Sequence, residues 1–155
     1  MDRNKIKEIL EGCEFFKGLE EPCIKNIITL CRVRNYEPGE YVFSQGDFGE
    51  YIHVIAEGHV SLERSMDLGT RKGNAVIGLL GKGRVMGCWS TLLGQPHTLM
   101  SSAVCRKPTT VVSIKGTELR EIMVGNHKMG FRMMESLCFL LRDRLHGALG
   151  AMENI

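Results

Sequence analysis

The sequence predicts a mostly β domain flanked by helices: a sandwich or jelly roll set between short N-terminal helices and one long C-terminal helix. Three observations lead there. From Arg32 to Ile114, short runs rich in Val, Ile, Tyr, Phe and Thr are punctuated by glycines at 39, 46, 49, 58, 69, 73, 78, 81, 83, 87 and 94. On both sides of that stretch, apolar residues recur at helical spacing instead. The 155 residues are 43% hydrophobic and 25% charged, the balance of one domain large enough to bury a core. The expected organisation is thus one unit over 1–155, with helices over 1–31, the β region over 32–114 and helices over 115–155.

Ile6, Ile9, Leu10 and Cys13 fall at i, i+3, i+4 and i+7, one face of a first helix that Gly12 helps to end. Glu20, Glu21 and Pro22 suit the first turn of a second helix, whose buried stripe is Ile24, Ile27, Ile28 and Cys31. Phe15, Phe16, Gly18 and Leu19 form an apolar turn between them. Strands are expected at 32–36, 41–44, 51–56, 59–65, 74–80, 99–106 and 109–114, with 66–73 as a mobile hairpin tip. Thr117 is the expected N-cap of a helix carrying Leu119, Ile122 and Met123, stopped at Gly125 and Asn126.

From His127 onward two heptad series run in parallel. One is Phe131, Cys138, Leu145 and Met152; the other, three positions on, is Met134, Leu141, Ala148 and Ile155. A second apolar set, Met133, Leu137 and Leu140, faces elsewhere. The helix is therefore expected to touch its own β region on one side and a second copy on the other, a homodimer through Phe131, Met134, Cys138, Leu141, Leu145, Ala148 and Met152.

Several function classes are disfavoured. A net charge of +2 without a basic tail gives no electrostatic footprint for nucleic acid, and direct DNA binding is not expected. Apolar runs fall far short of the roughly 20 residues needed to span a bilayer, and the N-terminus is charged and amphipathic, so no membrane role and a cytoplasmic location are expected. The six cysteines contain no CxxC pair and are expected to be mostly buried free thiols, with no metal site. The five histidines, His53, His59, His97, His127 and His146, form no metal-ligand cluster, and neither a Ser/His/Asp nor a paired-carboxylate spacing stands out. No enzyme activity is expected.

The most informative stretch contains Tyr36, Pro38, Gly39 and Glu40, then Gln45, Gly46, Asp47 and Gly49, then Tyr51, Ile52, Val54, Gly58 and Val60. It continues through Gly81, Gly83, Gly87, Leu92, Pro96, Ser102, Ala103 and a strand over 111–114. This ordered set resembles the cyclic nucleotide-binding domain of the catabolite-activator (CRP/FNR) and protein-kinase regulatory-subunit type. The resemblance covers essentially the whole chain and implies a double-stranded β-helix, or jelly roll, with a long C-terminal dimerisation helix; the transcription-factor branch of the family continues into a helix-turn-helix, which is not expected here because the sequence ends with the long helix at Ile155. It also implies a cytoplasmic signal-transduction role, in which a ligand shifts the long helix and so changes dimer geometry or the binding of an effector protein.

In the family, a short helix after the glycine at position 87 holds the cyclic phosphate through its N-terminal amides, a site favoured by unpaired donors and the helix dipole. A Glu after that glycine accepts from the ribose 2′-hydroxyl, and an Arg about ten residues later pairs with the phosphate. This chain departs at both points: Cys88 stands at the Glu position, and the Arg window reads His97, Thr98, Leu99 and Met100. A thiol cannot replace a carboxylate acceptor, and the charge-assisted guanidinium contact is lost. At roughly 1.4 kcal/mol per decade, the two losses weaken cyclic AMP binding by about two to four orders of magnitude unless another group compensates.

The candidate ligand-binding residues are Gly87, Cys88, Trp89, Ser90, His97, Thr98, Leu99 and Met100, with Met133 or Leu137 contributed by the long helix. His97, when protonated, or Arg84 or Arg106 could supply a phosphate contact. Trp89 and Met100 could wrap a planar apolar body. The sequence favours a small-molecule-sensing regulatory domain with a divergent phosphate cassette, which puts the usual mode of cAMP or cGMP binding in doubt and leaves open another small anionic ligand. The alternatives are a ligand-free interaction or scaffold module, and a haem or redox sensor using His53, His97 or Cys88.

Overall fold

The computed structural model describes residues 1–153, and Ile155, the last of the heptad positions, lies outside them. Helix α1 spans Arg3–Glu11 and starts where Asp2 accepts a 2.8 Å hydrogen bond from the Lys5 amide. Helix α2 spans Glu21–Ile28 with proline in its first turn. Eight strands follow: β1 Arg32–Tyr36, β2 Tyr41–Phe43, β3 Tyr51–Glu57, β4 Val60–Asp67, β5 Lys72–Leu80, β6 Val85–Gly87, β7 Ser102–Cys105 and β8 Thr109–Lys115. A short 3₁₀ helix, Trp89–Leu93, lies between β6 and β7, and α3 Gly116–Gly125 and α4 His127–Glu153 complete the order.

The strands form two antiparallel four-stranded sheets, β1-β8-β3-β6 and β2-β7-β4-β5, stacked as a jelly roll. Strand β3 explains why the layers stack as they do. Its residues 52–56 are buried without interruption, so both of its faces are covered. Ile52, Val54 and Ala56 point to one side, where they join Val112 and Ile114 of β8 and the apolar faces of the helices: Ile9 and Leu10 of α1, Ile24 and Ile27 of α2, Leu119 of α3, and Met133, Leu137 and Leu140 of α4. Ile55 points to the other side, between the sheets, with Val60, Leu80, Met86, Ala103 and Val111. The order across the molecule is therefore helices, first sheet, inter-sheet core, second sheet.

His53 also points between the sheets. It sits opposite Ser113 in the β3–β8 register, with Nδ1 2.7 Å from the Ser113 hydroxyl and its ring stacked on Phe43. Burial, reinforced by the positive charge of Arg34, lowers its pKa from 6.5 to about 4. The sign of the linkage follows. Above pH 6.5 the ring is neutral in both states; below it the unfolded chain binds a proton that the folded one refuses until about pH 4. Folding stability is expected to fall by about 3 kcal/mol between these pH values from this residue, and urea unfolding at stepped pH checks it.

Several element boundaries differ from the sequence expectation; β7, for one, is confined to Ser102–Cys105 where a strand over 99–106 was expected. The β4–β5 hairpin stays paired out to Asp67 and Lys72, so the tip is only residues 68–71 rather than 66–73. Val85–Gly87 pairs with Ile52–Val54 as a three-residue strand where the sequence analysis expected none. Helix α3 starts at Gly116 after Lys115, so Thr117 is not its cap. The reason is packing: a Cβ on Gly116 would lie 1.7 Å from the Thr91 hydroxyl, so only glycine lets the helix begin this close to the 3₁₀ turn.

Candidate functional site

Between the two sheets, at the end covered by α4, lies a cavity of about 160 Å³. Phe43, Leu62 and Ile77 line it from the second sheet, Val85, Met86 and Gly87 from β6, and Trp89 and Ser101 from the segment between β6 and β7. Leu141, Arg144 and Ala148 close it from α4. The lining is thus an apolar, partly aromatic box with a serine hydroxyl, a glycine backbone and one guanidinium. No carboxylate lines it among the described residues.

Gly87 brings the backbone to this place. Its φ of +132° belongs to the glycine region, and a Cβ there would stand 2.3 Å from the Tyr51 carbonyl oxygen. The next amide, Cys88 N–H, donates to that same oxygen at 3.1 Å, and the chain then turns into the 3₁₀ helix. Gly49 allows a second close approach, because its missing Cβ would lie 2.4 Å from Cys88 Cβ and 3.1 Å from a Leu99 methyl.

The predicted site residues separate accordingly. Gly87 and Trp89 line the cavity, and Ser101, directly after the expected window, joins them. Cys88 is buried against Gly49 instead, its thiol donating to the His97 carbonyl at 3.5 Å. Ser90 accepts from the Gln95 amide through its carbonyl at 3.0 Å. His97 and Thr98 lie at the surface, where His97 Nδ1 is 3.0 Å from the Thr98 carbonyl oxygen. Leu99 packs at Gly49, and Met100 is exposed, its carbonyl accepting from Arg64 at 2.7 Å. Met133 and Leu137 belong to the core beneath the helices, and the part of α4 that faces the cavity lies further along, at Leu141, Arg144 and Ala148.

Arg144 is held by a compact polar cluster. Its Nη2 donates to Glu14 Oε1 and to the Val85 carbonyl, both at 2.8 Å. Glu14, in the turn after α1, also accepts from the Val85 amide at 2.9 Å and faces Arg84 Nε at 2.9 Å. Two guanidinium groups therefore share one carboxylate, leaving one positive charge in excess beside the cavity. Burial draws the Arg144 pKa below its ordinary value, while Glu14 opposes that shift. Arg106, the other arginine considered, pairs instead with Glu63 and with the Ser61 hydroxyl.

Burial pushes the Cys13 thiol up to about 11 and that of Cys31 to about 12, so neither is a ready thiolate. Among the described residues, no group of His, Cys, Asp and Glu is arranged to hold a metal, and no helix is long and apolar enough to cross a membrane.

The exposed side of α4 carries an apolar stripe among charged residues such as Arg132, Glu135 and Arg142. Phe131 is 69% exposed, Leu145 58% and Met152 64%, and Cys138 and Leu149 are exposed on the same stripe. Met134 packs on the core, and Leu141 and Ala148 turn toward the cavity. The stripe is thus one of the two heptad series, joined by Leu149.

Residues 33–126 match the family model described as the cyclic nucleotide-binding domain. Among curated proteins, the chain is 25% identical over 124 residues to the cGMP-dependent protein kinase of Plasmodium berghei, covering 79% of this chain and 13% of that one. It is 33% identical over 61 residues to human cGMP-dependent protein kinase 2, covering 39% of this chain and 8% of the kinase. The chain therefore spans a small part of either relative. Among solved structures, a cyclic nucleotide-binding domain from Methylobacillus flagellatus superposes with a TM-score of 0.76 at 20% identity, over 99% of this chain and 82% of that one. A triple mutant of the regulatory subunit of a cAMP-independent protein kinase A from Trypanosoma brucei, bound to cAMP in its A site, gives 0.73 at 20% identity, over 87% of this chain and 45% of that one.

Proposed function

The chain belongs to the cyclic nucleotide-binding domain family, and on that premise we propose that it is a regulatory domain that senses a small anionic ligand in the cavity beneath α4. The observation that carries this reading is the cavity itself: Gly87 and Trp89 of the cassette meet Arg144 of α4 across an apolar box. A ligand that fits the box with α4 docked, and fits less well with α4 displaced, shifts the balance between the two positions by that difference in affinity.

Cyclic AMP and cyclic GMP are the first ligands to consider, since the family is defined by them and each joins a flat base to a single negative charge. The recognition we propose is not the usual one. With Cys88 buried against Gly49, no carboxylate reaches the place of the ribose hydroxyl, and Leu99 fills space near Gly49 in the arginine window. The output we propose is a homodimer through the exposed stripe of α4, because a seven-residue repeat of Phe131, Cys138, Leu145 and Met152 matches a second copy of itself.

Calorimetric titration of the dialysed protein with cyclic AMP and, in parallel, cyclic GMP tests the reading. Saturable heat with one site per chain is expected. No heat at millimolar concentrations of both contradicts it and favours an interaction module that keeps the jelly roll and the helix stripe without the ligand.

A further inference from the structure

We propose that Arg144 of α4 receives the negative charge of the ligand, so that the anion is held by the covering helix and not by the β-region cassette; the inference rests on the cavity being the ligand site. Arg144 is the one ionisable side chain that lines the cavity among the described residues, and it does so beside Gly87 and Ser101. Only its Nη2 is engaged, with Glu14 and Val85, and no partner is seen for Nε or Nη1 among the described residues. A guanidinium has donors on both edges, so Arg144 can stay latched to Glu14 through one and present the other to an anion. The cluster is also electrically incomplete, because Glu14 neutralises only one of Arg84 and Arg144. An incoming monoanion brings the group to neutrality in a half-buried place where unpaired charge is costly.

Two consequences follow. The charge contact lies on α4 itself, so an anionic ligand holds that helix against the jelly roll directly, and ligand binding and helix docking become one equilibrium. Selectivity is chiefly for an anion on a flat apolar body, because the lining offers a guanidinium but no carboxylate acceptor for a sugar hydroxyl.

The test is calorimetry on the full chain with cyclic AMP and with uncharged adenosine, using wild type, Arg144→Ala and Glu14→Gln. Arg144→Ala is expected to weaken cyclic AMP roughly 10- to 100-fold and leave adenosine unchanged. Glu14→Gln keeps an oxygen for the Val85 and Arg144 N–H groups but removes the competing charge, and is expected to tighten cyclic AMP. A purely structural role for the cluster predicts weaker binding in both variants. Cyclic AMP binding that is unchanged in Arg144→Ala overturns the inference and leaves the cavity reading standing. No binding of either compound to wild type overturns that reading and the inference with it. Should Arg144→Ala fail to fold, Glu14→Gln decides: weaker or unaltered cyclic AMP binding overturns the inference.

Discussion

Gly87→Val is expected to remove at least about 3 kcal/mol of folding stability, the largest effect of any single substitution considered for this fold. Two costs act together. Valine is forced to a φ of +132°, and its Cβ is driven to 2.3 Å from the Tyr51 carbonyl and 3.0 Å from the Ile52 Cα. Both neighbours are backbone of β3, which is bound on its other edge to β8, so neither can give way without unpairing the first sheet. Gly46 provides the contrast. Its φ of +88° also favours glycine, but nothing lies within 4 Å of an added Cβ, so Gly46→Ala is expected to cost only about 1 kcal/mol. Urea unfolding of the two variants beside wild type reads the difference, and equal losses would contradict the close approach of β6 to β3.

The second large effect concerns association. Leu145→Glu is expected to raise the dimer dissociation constant by at least about 100-fold, because it would place two like charges in the centre of an apolar seam. Leu145 is exposed in the single chain, so the folded protomer loses no core contact and its unfolding midpoint at low concentration is expected to stay near wild type. Sedimentation equilibrium distinguishes the outcomes. Wild type is expected near twice 17.4 kDa and the variant near 17.4 kDa. A wild type that stays at the lower mass at every concentration contradicts association through α4.

How much of this was legible in the chain depends on how local the determining interactions are. Strand β1 was read with its observed bounds because its ends are set by residues near them, the Thr29–Leu30 turn that ends α2 and the Pro38–Gly39 turn. Glycine spacing gave a sandwich or jelly roll and the family resemblance chose the jelly roll, while the apolar stripes of α1, α2 and α4 came from their period of about 3.6 residues. Strand β6 was not legible, since three residues are too few for a pattern and Val85–Gly87 is defined by pairing with β3. The start of α3 depends on Gly116 meeting Thr91, a contact between segments that no local rule contains.

Gly87 could be placed beside the cavity because it belongs to the family motif, and Trp89 because it follows that glycine as an apolar ring; Arg144 could not, because its meaning depends on Glu14 and β6. A signal did exist. Met133, Leu137 and Leu140 mark the buried face of α4, and Arg144 stands four residues after Leu140 and seven after Leu137, where that face continues. A charged residue in line with an apolar stripe needs a partner, and the search for one leads to Glu14. The heptad reading of the same helix put Met134, Leu141 and Ala148 in one outward set with Phe131, Cys138, Leu145 and Met152, whereas in the structure Met134 packs on the core and Leu141 and Ala148 line the cavity, Leu141 while still 40% exposed. An α-helix drifts by about 20° per heptad, which turns these positions toward the jelly roll while Leu149 comes to the front.

Ligand that enters the cavity between the sheets meets Trp89, which is both a lining residue and the chain's single tryptophan and so reports from inside the cavity. The most direct measurement is its fluorescence during titration with cyclic AMP, with the calorimetric dissociation constant as the reference. A saturable change in Trp89 emission with the same midpoint is the predicted result. Calorimetric binding that leaves the emission of Trp89 untouched would place the ligand elsewhere and contradict the account.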